Sequence, residues 1–295
     1  MRVLIIGCGY IGTETGRLLV QSGHEVYGIR RSPAPGLSQL GIHPIVGDIT
    51  RKSFWDQLNP EFGWVINCVS SSRGNADVYR DVYLNTTRLL MDWLQDSDTA
   101  RYVYTSSTSV LGQSDASWVD ESTPVNPLTD TARILVETEE CLMDAAKNRH
   151  IPTMIVRLSG IYGPDRGFLF RQFMADEAEL PAGGDRYMNM IHRDDAASGI
   201  VAALNSGKPG EIYHLTDDCP VQHTEFFQFL CKQTSKPMPK RTADDQSKSR
   251  KRAPTDKKVS NKKAREQLGW NLRYPTFRDG LAPEIALLLK DDADS

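Results

Sequence analysis

The segment Gly7-Cys8-Gly9-Tyr10-Ile11-Gly12 follows the apolar run Val3-Leu4-Ile5-Ile6 without a spacer and leads into a helical pattern. Few short motifs limit a fold so tightly, because this one works only between a strand and a helix. Gly7 permits the tight turn, Gly9 lets the backbone approach a phosphate, and Gly12 lets the helix pack against the strand. The helix start then offers unpaired N–H groups to an anion. The motif predicts a βαβ unit that cradles the pyrophosphate of a dinucleotide, with Tyr10 and Ile11 among the cradle residues.

The chain beyond the motif repeats the strand–helix alternation. Predicted strands at 3–6, 25–29, 44–46, 64–68, 102–105 and 153–158 alternate with predicted helices at 12–22, 53–58, 76–94 and 131–148. Several strands are continuous apolar runs, as expected where helices cover both faces of a parallel sheet. The class is therefore α/β, a Rossmann-type doubly wound parallel sheet. After residue 160, Gly, Pro and aromatic residues become denser, followed by a predicted helix at 194–204 and a short strand at 211–215. The expected division is a dinucleotide-binding domain over 1–160 and a smaller C-terminal substrate lobe over 161–295, some of whose elements return to the sheet.

Charge and composition exclude several classes. The 35 Lys+Arg and 38 Asp+Glu leave a net charge of −3, which argues against a dedicated nucleic-acid binder. No apolar run approaches the ~18 residues of a membrane span, and the N-terminal run is too short for a signal peptide. The five cysteines are scattered with no Cys-x-x-Cys, which fits a reducing cytoplasm and neither a zinc site nor a disulfide framework. The histidines show no metal-ligand spacing, so no metal is expected. One stretch departs from the average: residues 232–263 hold twelve Lys and Arg against three Asp, a local charge of +9. Its poverty in apolar residues predicts poor order between 235 and 254. A solvated loop and an anion-binding flap are the two readings of that charge.

The end of the second strand bears on the cofactor. A carboxylate there would hold the 2′-hydroxyl of NAD, whereas arginine accommodates the 2′-phosphate of NADP. The chain carries Arg30, Arg31 and Ser32 and no carboxylate in that segment. The expectation is NADP, with NAD left possible.

These segments together resemble the NAD-dependent epimerase/dehydratase family, the extended short-chain dehydrogenase/reductases, over nearly the whole chain. Val46-Gly47-Asp48-Ile49 is similar to the family segment whose Asp meets the adenine, and Cys68-Val69-Ser70 falls where the fourth strand meets the cofactor. Asn85-Thr86-Thr87-Arg88-Leu89-Leu90 resembles a family helix. Thr105-Ser106-Ser107-Thr108-Ser109-Val110-Leu111-Gly112 resembles the family's Ser-Ser-x-x-Val-Tyr-Gly, with Ser107 at the catalytic Ser/Thr position. Arg157 through Pro164 and Ile191 through Asp195 match two later signatures that border the substrate pocket, which implies substrate contacts by Tyr162 and His192. The pocket walls implied are 70–74, 160–165 and 180–192. A homodimer through the helices 76–94 and 131–148 is a further implication.

One departure matters. The family's Tyr-x-x-x-Lys is replaced: counting back from Glu137 puts Thr129 at the Tyr position and Arg133 at the Lys position. A threonine hydroxyl is a far poorer base than a phenolate, and Arg does not give up its proton. Arg133 and Glu137 are also spaced as a helix-surface pair. Tyr162, His192 and Asp130 are other proton-exchanging candidates. Three functions follow: an NADP-dependent oxidoreductase reducing a carbonyl with an unusual proton donor; an epimerase or dehydratase on a nucleotide-activated sugar; and a catalytically silent dinucleotide sensor or interaction protein. The expected ligand is a small molecule, phosphorylated or nucleotide-linked, with no nucleic acid or membrane partner.

Overall fold

Strands β1 Arg2–Ile6, β2 Glu25–Arg30, β3 Ile42–Val46, β4 Trp64–Asn67, β5 Arg101–Ser107, β6 Thr153–Leu158 and β7 Ile212–Leu215 form one parallel sheet. The computed structural model describes residues 1–71, 75–180, 185–241 and 255–293. In space the strands run β7-β6-β5-β4-β1-β2-β3. The order reverses between β1 and β4, and in open α/β sheets the ligand crevice lies outside the strand carboxyl ends at that reversal. Register aligns those ends: Ile6 faces Ile29 on one side and Asn67 on the other.

Burial follows the pleat. On β1, Val3 and Ile5 join one core with Leu19 of helix α1 (Tyr10–Gln21), while Leu4 and Ile6 join the opposite core with Leu90 and Leu135. Alternate side chains thus feed two helical layers, which is why the run reads as uninterruptedly apolar. Helix α2 (Asp130–Asn148) covers the second face, and α3 (Arg193–Ser206) packs beside α1 on the first. A third core of Tyr162, Phe170, Phe173, Phe226, Phe227 and Phe277 belongs to the C-terminal half.

The strand expected at 211–215 is β7, one of the C-terminal elements that return to the main sheet, where Ile212–Leu215 pairs in register with Ile155–Leu158. Other expectations change. The helix expected at 76–94 is divided: Ala76–Arg80 and Thr86–Leu94 are α-helical, and Asp81–Asn85 forms a π turn between them. Two short strands that the sequence reading did not expect, Ser114–Val119 and Asp256–Val259, pair in parallel outside the main sheet. Of the segment expected to be poorly ordered, 242–254 lies outside the described residues. Residues 235–241 are placed, since Lys236 Nζ bonds Asp176 at 2.8 Å and the Met174 carbonyl at 2.9 Å. Lys240–Arg241 then pairs with Glu179–Leu180.

Candidate active site

The glycine turn has the geometry its sequence requires. Gly7 adopts φ +75°, and a Cβ there would lie 2.7 Å from the Val69 backbone nitrogen, so β1 and the segment after β4 touch through a missing side chain. A Cβ on Gly12 would meet the Gly7 carbonyl at 2.8 Å. Gly9 is different: its nearest neighbour in that direction is 3.9 Å away, leaving room for a ligand. No side chain caps α1 and no carboxylate stands in its first turn, so the positive helix end is left for an anion. The residues present therefore fit a dinucleotide pyrophosphate.

Further groups gather around the turn. Tyr10 donates its hydroxyl to the Pro164 carbonyl at 2.9 Å, and Arg166 and Arg193 stand 5.0 and 5.5 Å from its ring centre. Burial pushes the Tyr10 phenol up to about 12. Asp48 accepts from the Thr50 hydroxyl at 2.7 Å and pairs with Arg51 at 3.3 Å. The Thr50 hydrogen bond, joined by the charges of Arg51 and Arg31, holds its carboxyl below the usual range. Ile49 is buried, with its carbonyl taken by Trp55 Nε1. Arg30, Arg31, Ser32 and Ser70 are exposed, and Val69 is half-buried.

Ser107 ends β5, half-buried, and its Oγ accepts the Ser109 N–H at 3.2 Å. The hydroxyl hydrogen stays available for a ligand oxygen. Thr129 is the N-cap of α2, accepting the Ala132 N–H at 3.2 Å. Arg133 is exposed and paired with Asp130. It does not pair with Glu137, whose carboxylate takes Arg80 of the neighbouring helix at 2.5 and 2.9 Å. Tyr162 and His192 come together, their rings 5.3 Å apart, but both are buried. The Tyr162 hydroxyl donates to the Thr276 carbonyl at 3.4 Å, and burial raises the phenol above its usual range. His192 caps α3, its Nδ1 accepting the Asp194 N–H at 3.2 Å, and burial pushes it down to about 4. An imidazole used this way is neutral at physiological pH.

Two buried features under this surface escaped the sequence reading. Arg157 and Glu139, 3% and 5% exposed, form a fork whose contacts are 2.7, 3.1 and 3.2 Å, and Ser106 donates to the same carboxylate at 2.5 Å. This network fixes the strand end that carries Ser107. The second is Lys257, buried on the strand Asp256–Val259. Of the expected pocket walls, 72–74 and 181–184 lie outside the described residues. No cluster of metal-binding side chains occurs among the described residues. No helix among them is long and apolar enough to cross a membrane.

The NAD dependent epimerase/dehydratase family matches residues 3–216, and the chain belongs to that family. It is an NAD(P)-binding Rossmann enzyme of this class. Protein YeeZ of Escherichia coli is 28% identical over 224 residues, covering 72% of this chain and 77% of that one. DesIV, the dTDP-glucose 4,6-dehydratase of Streptomyces venezuelae solved with NAD and TYD, superposes with a TM-score of 0.83 at 21% identity over 99% of this chain and 98% of its own. The UDP-glucuronic acid 4-epimerase of Bacillus cereus, solved with UDP-glucuronic acid and NAD, gives 0.80 at 22% over 98% and 99%. Both enzymes hold NAD, which corrects the expectation of NADP. Arg30 and Arg31 are both exposed, so at this strand end they stand as solvated surface charge that needs no 2′-phosphate to satisfy it.

Proposed function

We propose that the protein is an NAD-dependent enzyme of the epimerase or dehydratase kind acting on a nucleotide-activated sugar. The observation that carries this reading is Ser107, half-exposed at the carboxyl end of β5 with its hydroxyl hydrogen uncommitted, on the same strand edge as the glycine cradle. The end-to-end likeness to a dehydratase and an epimerase of such sugars supports it, and favours it over simple carbonyl reduction. NAD, when bound, supplies a hydride acceptor and donor.

The chain's own residues do the rest. The backbone of Gly7, Gly9 and Gly12 and the first turn of α1 take the pyrophosphate, with Arg166 and Arg193 adding positive charge beside Tyr10. Asp48 and Ile49 border the adenine, and Val69 and Ser70 the nicotinamide ribose. Ser107 donates to the reacting sugar oxygen and holds it in place. Thr129 shares its hydroxyl with that of Thr131 at 3.1 Å besides accepting the Ala132 N–H, and Arg133 keeps its proton and pairs with Asp130, so neither is given the proton exchange.

The test is proton NMR of NAD-loaded protein with UDP-glucuronate, UDP-glucose and dTDP-glucose, using Ser107→Ala as the control. Appearance of an epimer or a 4-keto product, lost in the variant, is the expected result. If every sugar is left intact while simple carbonyl compounds consume NADH, the proposal is wrong and the protein is a reductase.

A further inference from the structure

The loop 163–167 joins the short strand Gly160–Tyr162 to the helix Phe168–Met174, both in the C-terminal half, yet it leans on the glycine cradle. The Tyr10 hydroxyl donates to its Pro164 carbonyl at 2.9 Å. Within the loop, the backbones of Gly163 and Arg166 exchange N–H···O bonds of 2.9 and 2.8 Å. Gly163 has φ +137°, and a Cβ there would lie 3.1 Å from the Tyr10 hydroxyl and 3.1 Å from His192 Nε2. The turn is closed on itself and fitted against Tyr10, which fixes the point from which the Arg166 side chain leaves the backbone.

Arg166 is exposed, and its guanidinium carbon stands over the Tyr10 ring, 5.0 Å from the ring centre. Attraction to an aromatic face is electrostatic and takes up no N–H donor. Among the described residues its guanidinium pairs with no carboxylate and donates no hydrogen bond. The second guanidinium beside Tyr10 is already neutralised: Arg193 meets Asp194 at 2.9 Å and Glu14 at 3.9 Å. Glu14 in turn holds Arg17 at 2.5 Å. Arg166 is therefore the uncommitted cation beside a residue of the cradle itself. Tyr10 opens α1 directly after Gly9, where the helix start has no side-chain cap and no acidic residue in its first turn. A planar guanidinium fork on a flexible, solvent-accessible arm suits the oxygens of a phosphate bound there.

We propose that Arg166 binds the diphosphate of the bound dinucleotide, so that the C-terminal half clamps the cofactor that the cradle of the sheet holds. The inference rests on the NAD-dependent reading only in needing NAD in the glycine cradle, and it is independent of the sugar. Tyr10 then has two tasks beyond its place in the motif. Its ring seats the guanidinium, and its hydroxyl holds the loop that carries it.

The test titrates wild type, Arg166→Met and Arg166→Lys with NAD, with ADP-ribose, which keeps the diphosphate, and with adenosine, which lacks it. Melting temperatures of the unliganded proteins are recorded alongside. One charge-assisted contact at an exposed site corresponds to about a tenfold change in affinity. Arg166→Met is expected to weaken NAD and ADP-ribose by about that factor, leaving adenosine affinity and the melting temperature as in wild type. Arg166→Lys keeps part of the affinity, because the charge remains while the fork is lost. The proposal is overturned if Arg166→Met binds NAD as wild type does, if it weakens adenosine equally, or if the unliganded variant melts lower, which would make Arg166 a structural residue. Turnover assays with UDP-sugars separate the two readings. Sugar turnover with unchanged NAD affinity in Arg166→Met removes only the clamp, and an Arg166-dependent affinity without sugar turnover removes only the nucleotide-sugar reading. Wild type that binds no NAD removes both.

Discussion

Removing Glu139 should destabilise the protein far more than an ordinary surface substitution. The carboxylate takes three contacts from Arg157, at 2.7, 3.1 and 3.2 Å, and one from Ser106 at 2.5 Å, with both charged partners almost wholly buried. Breaking a buried pair by deleting one member costs about 3–5 kcal/mol, because the other charge stays desolvated. The Arg157 Nη1 atom already lacks a partner, so the guanidinium has little in reserve. Stranding the Ser106 hydroxyl adds about 1 kcal/mol. Glu139→Ala is therefore expected to lose about 4–6 kcal/mol in urea unfolding followed by circular dichroism. The paired change Glu139→Leu with Arg157→Met removes both charges and should fall within about 2 kcal/mol of wild type. A single variant within about 1 kcal/mol of wild type, or a pair worse than the single, would refute the reasoning.

Further outcomes follow from other residues. Asp217 is buried and its carboxyl is pushed up to about 8 by that burial, so folding is penalised as pH rises from the usual 3.8 towards 8. Asp217→Asn should then gain stability over wild type by up to about 1.4 kcal/mol per pH unit across that window, read from urea midpoints between pH 5 and pH 8; a constant difference would exclude the mechanism. Thr129→Ala removes a helix cap and should cost about 1 kcal/mol of stability while leaving most turnover. Ser107→Ala should do the reverse, lowering turnover by about 10²–10³ with little change in unfolding. Equal turnover losses in the two variants would count against the separate roles.

The main sheet was legible because its strands are apolar on both faces. Thr153–Leu158 appears with the expected bounds, and Glu25–Arg30 and Trp64–Asn67 differ by a residue at one end. The glycine turn was legible for a different reason: its function needs the absence of particular atoms, and absence shows as glycine. Long-range pairing left no such mark. Ser114–Val119 and Asp256–Val259 are short segments of mixed polarity, and they become strands by pairing with each other across more than 130 residues of chain. Lys257 was lost in a count of twelve basic residues, although its spacing from Val259 is that of one strand face. Thr129 is a comparable case. Its place before Asp130 and the apolar stripe of α2 is a helix-start signal, and the structure uses it so. The partner of Glu137 could not be read locally, since Arg80 comes from another helix.

Calorimetric titration with NAD, comparing wild type with Gly7→Ala, addresses the central claim most directly. The added methyl would fall 2.7 Å from the Val69 backbone at a residue with φ +75°, so it distorts the cradle itself. The account predicts saturable binding of one NAD per wild-type chain and loss of at least tenfold in affinity for the variant. Failure of wild type to bind NAD, or equal affinity in the two proteins, would contradict it.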